Sequence, residues 1–189
     1  GGLLIRDCGA ASVRDSVISN AGANAIQVGN SAGVVVDTAW IAGAGQVGIY
    51  SEDSGTEVLR STVTKSRIGV SVDNGDFVVS DSAIHACAAQ GIRLTGDLGA
   101  TVSGNAIAGN GFAGVLVTLL TGAADRTCAI SNNFLTENGG FGVSVLSGGL
   151  PLIDLAGNTI RGTRPAAMVN SGLDTAVGDG VSVLTGADQ

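Results

Sequence analysis

Proline, charge and aromatic rings are all scarce in this chain. Of 189 residues only 2 are Pro, 13% are Asp, Glu, Lys or Arg, and 3% are Phe, Trp or Tyr. The 9 basic residues are scattered against 16 acidic ones, for a net charge of −7. Nucleic-acid binding needs clustered Lys and Arg, so no nucleic-acid partner is expected. No apolar run approaches the roughly 20 residues that span a bilayer as a helix, so membrane insertion is not expected either. Segments with ten or more residues at a 3.6 period are also lacking, which excludes amphipathic helices as the framework. The opening "GGLLIRDCGA" has neither the basic region nor the cleavage site of a signal peptide.

What is abundant is glycine, 31 residues, within a chain that is 44% apolar. With so little Pro and so much apolar content this is neither linker nor disordered composition. Gly must punctuate many short ordered segments. A repeat accounts for it. Short apolar runs begin at Ala25 ("AIQV"), Gly48 ("GIYS"), Gly69 ("GVSV"), Gly91 ("GIRL"), Gly114 ("GVLV"), Gly142 ("GVSV") and Ala166 ("AAMV"), at intervals of 23, 21, 22, 23, 28 and 24 residues. Each interval holds a second β-type segment: "VRDSVI" from Val13, "VVDTAW" from Val35, "VLRSTV" from Val58, "VSDSAI" from Val79, "VSGNAI" from Val102, "ISNNFL" from Ile130 and "LAGNTI" from Leu155. Both segments alternate with a period of two, as half-buried strands do.

A unit of roughly 22 to 24 residues with short strands and Gly-rich corners fits one coil of a parallel β-helix, each strand pairing with its counterpart about 4.8 Å along the axis. A leucine-rich repeat has a similar period, but its Leu framework and helical segment are missing. The expected fold is all-β: a single-stranded parallel β-helix of about seven to eight coils, forming one domain over residues 1–189. Its apolar, cap-free beginning predicts a segment of a longer solenoid, with flanking coils as partners.

Alternation turns one polar slot of the second segment inward: Ser16, Thr38, Ser61, Ser82, Asn105, Asn133 and Asn158. Stacked on successive coils, such groups satisfy one another and the corner backbone, so their burial costs little. Asn110 and Asn138 begin a second, shorter ladder, with Cys87 in the same slot. Cys8, Cys87 and Cys128 lack metal-type spacing. The nearest two lie on coils about 10 Å apart along the axis, too far for a disulfide.

The pattern I-x-x-N-x-x-x-G-[IV] resembles the right-handed parallel β-helix repeat of pectate-lyase-like proteins and many bacterial surface proteins. The resemblance runs from about Gly2 to about Val169, with a weaker final copy in "GDGVSVLTGADQ". It implies the right-handed coil, a secreted or cell-surface location, polysaccharide as a partner, and activity on the outer face of one sheet. On the Gly-led strand that face has two rows: Gln27, Tyr50, Ser71, Arg93, Leu116 and Ser144, then Gly29, Glu52, Asp73, Thr95, Thr118 and Leu146. Tyr50, Glu52, Asp73 and Arg93 make its only patch of mixed chemistry.

Glu52 and Asp73, one coil apart, would repel by about 0.8 kcal/mol in water and about 3 kcal/mol at an effective dielectric of 20. In a groove they would recruit Arg93, a proton or a cation, making them the candidate metal ligands. Two carboxylates supply only a minority of the six to eight oxygens Ca²⁺ takes, and no cofactor is expected unless the chain works as a lyase. The leading expectation is a non-catalytic secreted or cell-surface scaffold that contacts glycans. The alternative is a polysaccharide lyase acting on uronate polymers, with Arg93 as catalytic candidate. Paired Asp with His and Arg-x-Lys, or Tyr-Gly-x-Asp-Pro-His, would mark other catalytic members of the family, and both are missing.

Three features stay outside that patch. His85, the only histidine, is expected to face solvent without a partner. Trp40 faces inward when counted from Val35, and outward, as a platform for a sugar ring, when counted back from Gly48. The longer 28-residue interval contains "TLLTGAADRT", expected to place Asp125 and Arg126 on a projecting loop.

Overall fold

The computed structural model describes residues 1–119, 126–147, 152–165 and 179–185. Among these there is no helix, and every strand pairs in parallel with strands one coil away. Three faces result. The first sheet stacks Leu3–Arg6, Ile26–Gly29, Val47–Glu52, the start of Ile68–Ser80, the start of Gln90–Ser103, Ala113–Leu119, Phe141–Ser147 and Asp179–Thr185. The second stacks Ala11–Arg14, Val34–Asp37, Thr56–Leu59, the ends of the same two long strands, Thr127–Ser131 and Leu152–Ala156. The long strands run through the first corner and join the two faces into one 13-stranded sheet. The third sheet is separate and has seven three-residue strands: Val17–Ser19, Trp40–Ala42, Thr62–Thr64, Ala83–His85, Ala106–Ala108, Phe134–Thr136 and Thr159–Arg161.

Each face contributes like residues to a stack inside the coil. Ile26, Ile49, Val70, Ile92, Val115 and Val143 line up on the first sheet, and Val13, Val36, Val58, Val79, Val102 and Ile130 on the second. Ile41, Val63, Ile84, Ile107 and Leu135 line up on the third, all fully buried. Burying an Ile or Val side chain contributes roughly 1.5–3 kcal/mol, and these columns are the dominant favourable contribution. The Gly that heads the first-sheet runs at Gly48, Gly69, Gly91, Gly114 and Gly142 is required sterically. A Cβ on Gly91 would lie 2.7 Å from the Gly114 carbonyl oxygen and 2.8 Å from Asn110 Nδ2.

The corners turn on residues at positive φ. At the second corner these are Asp15, Thr38, Arg60, Asp81, Gly104, Asn132 and Gly157, one per coil. Inside that corner runs the polar ladder. Asn105 Nδ2 and the Asn105 backbone N–H both donate to Asn133 Oδ1, each at 3.0 Å, and Asn133 repeats this to Asn158 Oδ1 at 3.0 Å. The remaining amide hydrogens reach the backbone carbonyls of Val79 and Val102, at 3.0 and 2.8 Å. Hydroxyls take over toward the start of the chain: the backbone N–H groups of Ala39 and Ser61 donate to Ser61 Oγ and Ser82 Oγ.

Ala39, and not Thr38, occupies the ladder slot. Trp40 pairs with Val17 and Thr62 and its neighbour Ile41 is the inward residue, so "VVDTAW" is read one residue early and Thr38 is instead a corner residue at φ 54°. The third corner repeats the device: Ala44 N–H donates to Ser66 Oγ, Cys87 N–H to Asn110 Oδ1, and Asn110 to Asn138 Oδ1. Cys87 and Cys128 are buried free thiols, and burial pushes them up to about 11 and about 12.

A second correction concerns the last coil. The strand that pairs with Phe141–Ser147 is Asp179–Thr185, with Val143 opposite Val181 and Val145 opposite Val183. The run at Ala166 lies outside the described residues. Short Gly- or Ala-led apolar runs are alike in sequence, and only pairing tells which one stacks.

Candidate functional site

On the first sheet, strand register brings the polar patch together. Tyr50, Ser71 and Arg93 lie opposite one another on successive coils, as do Glu52, Asp73 and Thr95. The groups then engage each other. Tyr50 donates its hydroxyl to Asp73 Oδ2 at 2.8 Å, Arg93 Nε donates to Ser71 Oγ at 3.0 Å, and Arg93 Nη2 stands 3.8 Å from Asp73 Oδ1. Ser71, though on the outer side, is fully buried beneath this arrangement. The Tyr50 phenol is pushed well above its usual value, chiefly by burial, then by its hydrogen bond to Asp73 and the charges of Asp73 and Glu52, with Arg93 opposing. A phenol so placed stays a neutral donor.

Among the described residues no group of three or more His, Cys, Asp or Glu side chains could hold a metal ion. Glu52 and Asp73 are therefore a pair, and Asp73 already holds a phenol and faces a guanidinium. Arg93, with Nε on Ser71 and Nη2 facing Asp73, ties the patch together.

Trp40 lies on a different face altogether. It is 44% exposed on the outer side of the third sheet and pairs laterally with Thr62. Successive coils place Val17, Trp40, Thr62, Ala83, Ala106, Phe134 and Thr159 in one outward row, and Ser19, Ala42, Thr64, His85, Ala108, Thr136 and Arg161 in the next. Val17 and Phe134 are also exposed, at 72% and 49%. Two aromatic rings thus stand on one line with only Thr62, Ala83 and Ala106 between them.

Phe134 was legible in principle. It precedes inward Leu135 as Trp40 precedes Ile41, but "ISNNFL" draws the eye to its amides. His85 is not partnerless: it is half-buried, and its Nδ1 shares a hydrogen bond with Thr64 Oγ1 at 3.2 Å. A residue one coil away supplied the partner, which no local pattern predicts.

Arg126 is described and Asp125 is not. The Arg126 guanidinium reaches back to the first corner, with Nη1 2.8 Å from Asp76 and Nε 3.2 Å from Asp97. It tethers the chain just before the Thr127–Ser131 strand. A further ion-pair group lies on the second sheet, where Asp37, 5% exposed, faces Arg60 at 2.6 Å and Arg14 at 3.6 Å. Neither group was apparent in the sequence.

Parallel three-faced coils, inward hydrophobic columns and amide ladders at the corners define the class: a parallel β-solenoid. The sequence matches the family described as right handed beta helix region over residues 1–187, and the chain belongs to that family. No curated protein matches it.

Proposed function

We propose that the protein is a non-catalytic, glycan-contacting β-helix scaffold acting outside the cell or at its surface, with the outer face of the third sheet as its contact surface. One observation carries this reading: Trp40 stands exposed on a flat face of seven short strands whose two outward rows hold only two titratable side chains, His85 and Arg161. An indole presented by a rigid strand offers the C–H face of a pyranose a stacking partner at little cost in side-chain entropy. The solenoid behind it supplies the rigidity.

The lyase reading has less support: Asp73 Oδ2 is engaged by the Tyr50 hydroxyl and Arg93 Nε by Ser71, and the Asp73 Oδ1 left without a hydrogen-bond partner is buried. Extracellular placement rests on the resemblance to surface β-helix proteins and is tested by fractionating cells that make the protein.

The chain has a single Trp, so its fluorescence reports Trp40 alone. Titration with a panel of neutral and acidic polysaccharides is expected to shift or quench that emission, and Trp40→Ala to abolish retention on the responding polymer. Emission unchanged across the panel would remove the proposal. Incubation with pectate and alginate in the presence of Ca²⁺ is expected to give no unsaturated product. A steady rise in its absorbance that Arg93→Ala eliminates would establish the lyase instead.

A further inference from the structure

The shape of the third-sheet face narrows its ligand. Seven strands at about 4.8 Å spacing make a strip about 29 Å long, and three residues per strand make it about 10 Å wide. That is about 300 Å², well below the roughly 800 Å² per partner of a standard protein interface, so the strip suits neither a globular partner nor a stable dimer. An extended peptide is equally ill matched. The backbone groups of an inner strand are already paired with the coils on either side, which leaves nothing for a peptide main chain laid across the face.

The aromatic residues give the strip a direction. Trp40 and Phe134 lie in one row four coils apart, about 19 Å along the axis. Thr62, Ala83 and Ala106 between them leave a shallow floor. Ser19, Thr136 and half-buried His85 provide hydroxyl and imidazole groups alongside, with Thr64 buried on its hydrogen bond to His85, and the flanking corners present exposed Asp15, Asp81, Lys65 and Glu137. The floor is thus apolar and uncharged, with hydrogen-bonding groups at its margins.

We propose that this strip binds a single neutral polysaccharide chain lying parallel to the solenoid axis, with one sugar stacked on Trp40 and another on Phe134. The proposal rests on the glycan-contacting reading above and adds its chemistry and orientation. Neutrality follows from charge. The outward rows offer a polyanion only Arg161 and, when protonated, His85, while the chain as a whole carries −7 and repels it. Orientation follows from the row, since a chain crossing the strip meets one aromatic side chain and a chain along it meets both.

Calorimetry on the full chain tests this, with cello-oligosaccharides as neutral probes and oligogalacturonates of matched length as acidic ones. Affinity for the neutral series is expected to climb with length until the oligomer reaches from Trp40 to Phe134, then level off. Phe134→Ala should weaken the longest neutral oligomer about tenfold while leaving the shortest unchanged, and Trp40→Ala should weaken both. A far-ultraviolet spectrum and melting temperature matching the parent keep the comparison meaningful, and Phe134→Tyr should restore binding. Oligogalacturonates binding as tightly as the neutral series, or a Phe134→Ala loss independent of length, would overturn neutrality or orientation while leaving glycan contact standing. Binding of neither series overturns both readings. Self-association by sedimentation that Trp40→Ala abolishes would assign the strip to a second copy of the chain.

Discussion

The first and third sheets of one solenoid solve opposite problems with the same backbone. On the first, the outward patch is polar and engages itself: Tyr50 donates to Asp73, Arg93 donates to Ser71 and faces Asp73, and the one unpartnered carboxylate oxygen, Asp73 Oδ1, is buried. On the third, outward side chains are small or aromatic, and the two large rings find no aromatic neighbour on the adjacent coils. Polar residues gathered in a patch can stabilise a fold by pairing with one another. Apolar residues that gain nothing from exposure invite a function for it.

The largest effect expected from disturbing this contrast comes from beneath the strip. Asn133→Leu removes partners from Asn105 and forces a branched side chain into a slot shaped for a flat amide. Unpaired buried polar groups cost about 1–3 kcal/mol and overpacking a similar amount, so denaturant unfolding should register a loss of about 2–4 kcal/mol. A melting curve equal to the parent's would place the ladder residue outside.

On the first sheet, Asp73→Ala deletes the acceptor of the Tyr50 hydroxyl and the neighbour of Arg93. A loss of about 1–2 kcal/mol is expected, held down by partial exposure, with glycan binding unchanged. Loss of binding without loss of stability would move the functional face to this sheet.

Tyr50 also predicts a pH dependence. Its phenol is raised in the folded state above the ordinary value of 10.0, so the unfolded chain ionises first as pH rises. The unfolded state then holds fewer protons than the native one, and stability falls from about pH 10 upward while being unaffected below it. In Tyr50→Phe the alkaline decline should be shallower; an identical slope would mean that the phenol is free.

The smallest effects on stability belong to the strip. Trp40→Ala should lower stability by about 1 kcal/mol or less despite its large effect on binding, and Thr136→Ala, on the neighbouring row, by under about 0.5 kcal/mol. A Trp40→Ala loss approaching that of Asn133→Leu would make the indole a packing residue and sink the platform.

Much of the fold is legible in the sequence because a β-solenoid repeats its demands. Gly48, Gly69, Gly91 and Gly114 recur because a Cβ at each would strike the next coil, and Asn105, Asn133 and Asn158 recur because each amide needs another above it. The candidate site was less legible. Tyr50, Glu52, Asp73 and Arg93 were correctly placed side by side, since period-two alternation sets the face of a strand whose inward residues are unambiguous. Whether they would be open to a ligand depended on side-chain geometry, which alternation does not encode.

The sequence by itself therefore determined the period, the inward columns and the corners, because each coil must offer the next the same surface. Only the tertiary structure decided which face Trp40 joins. Thr38 and Ala39 compete for one ladder slot, and the polar residue is the natural choice when the segment is read alone. Ser61 on the next coil settles it, because its Oγ accepts the backbone N–H of Ala39 and thereby fixes the register that turns Ile41 in and Trp40 out. A backbone donor carries no side-chain signature, so its partner becomes visible only once the two coils are stacked.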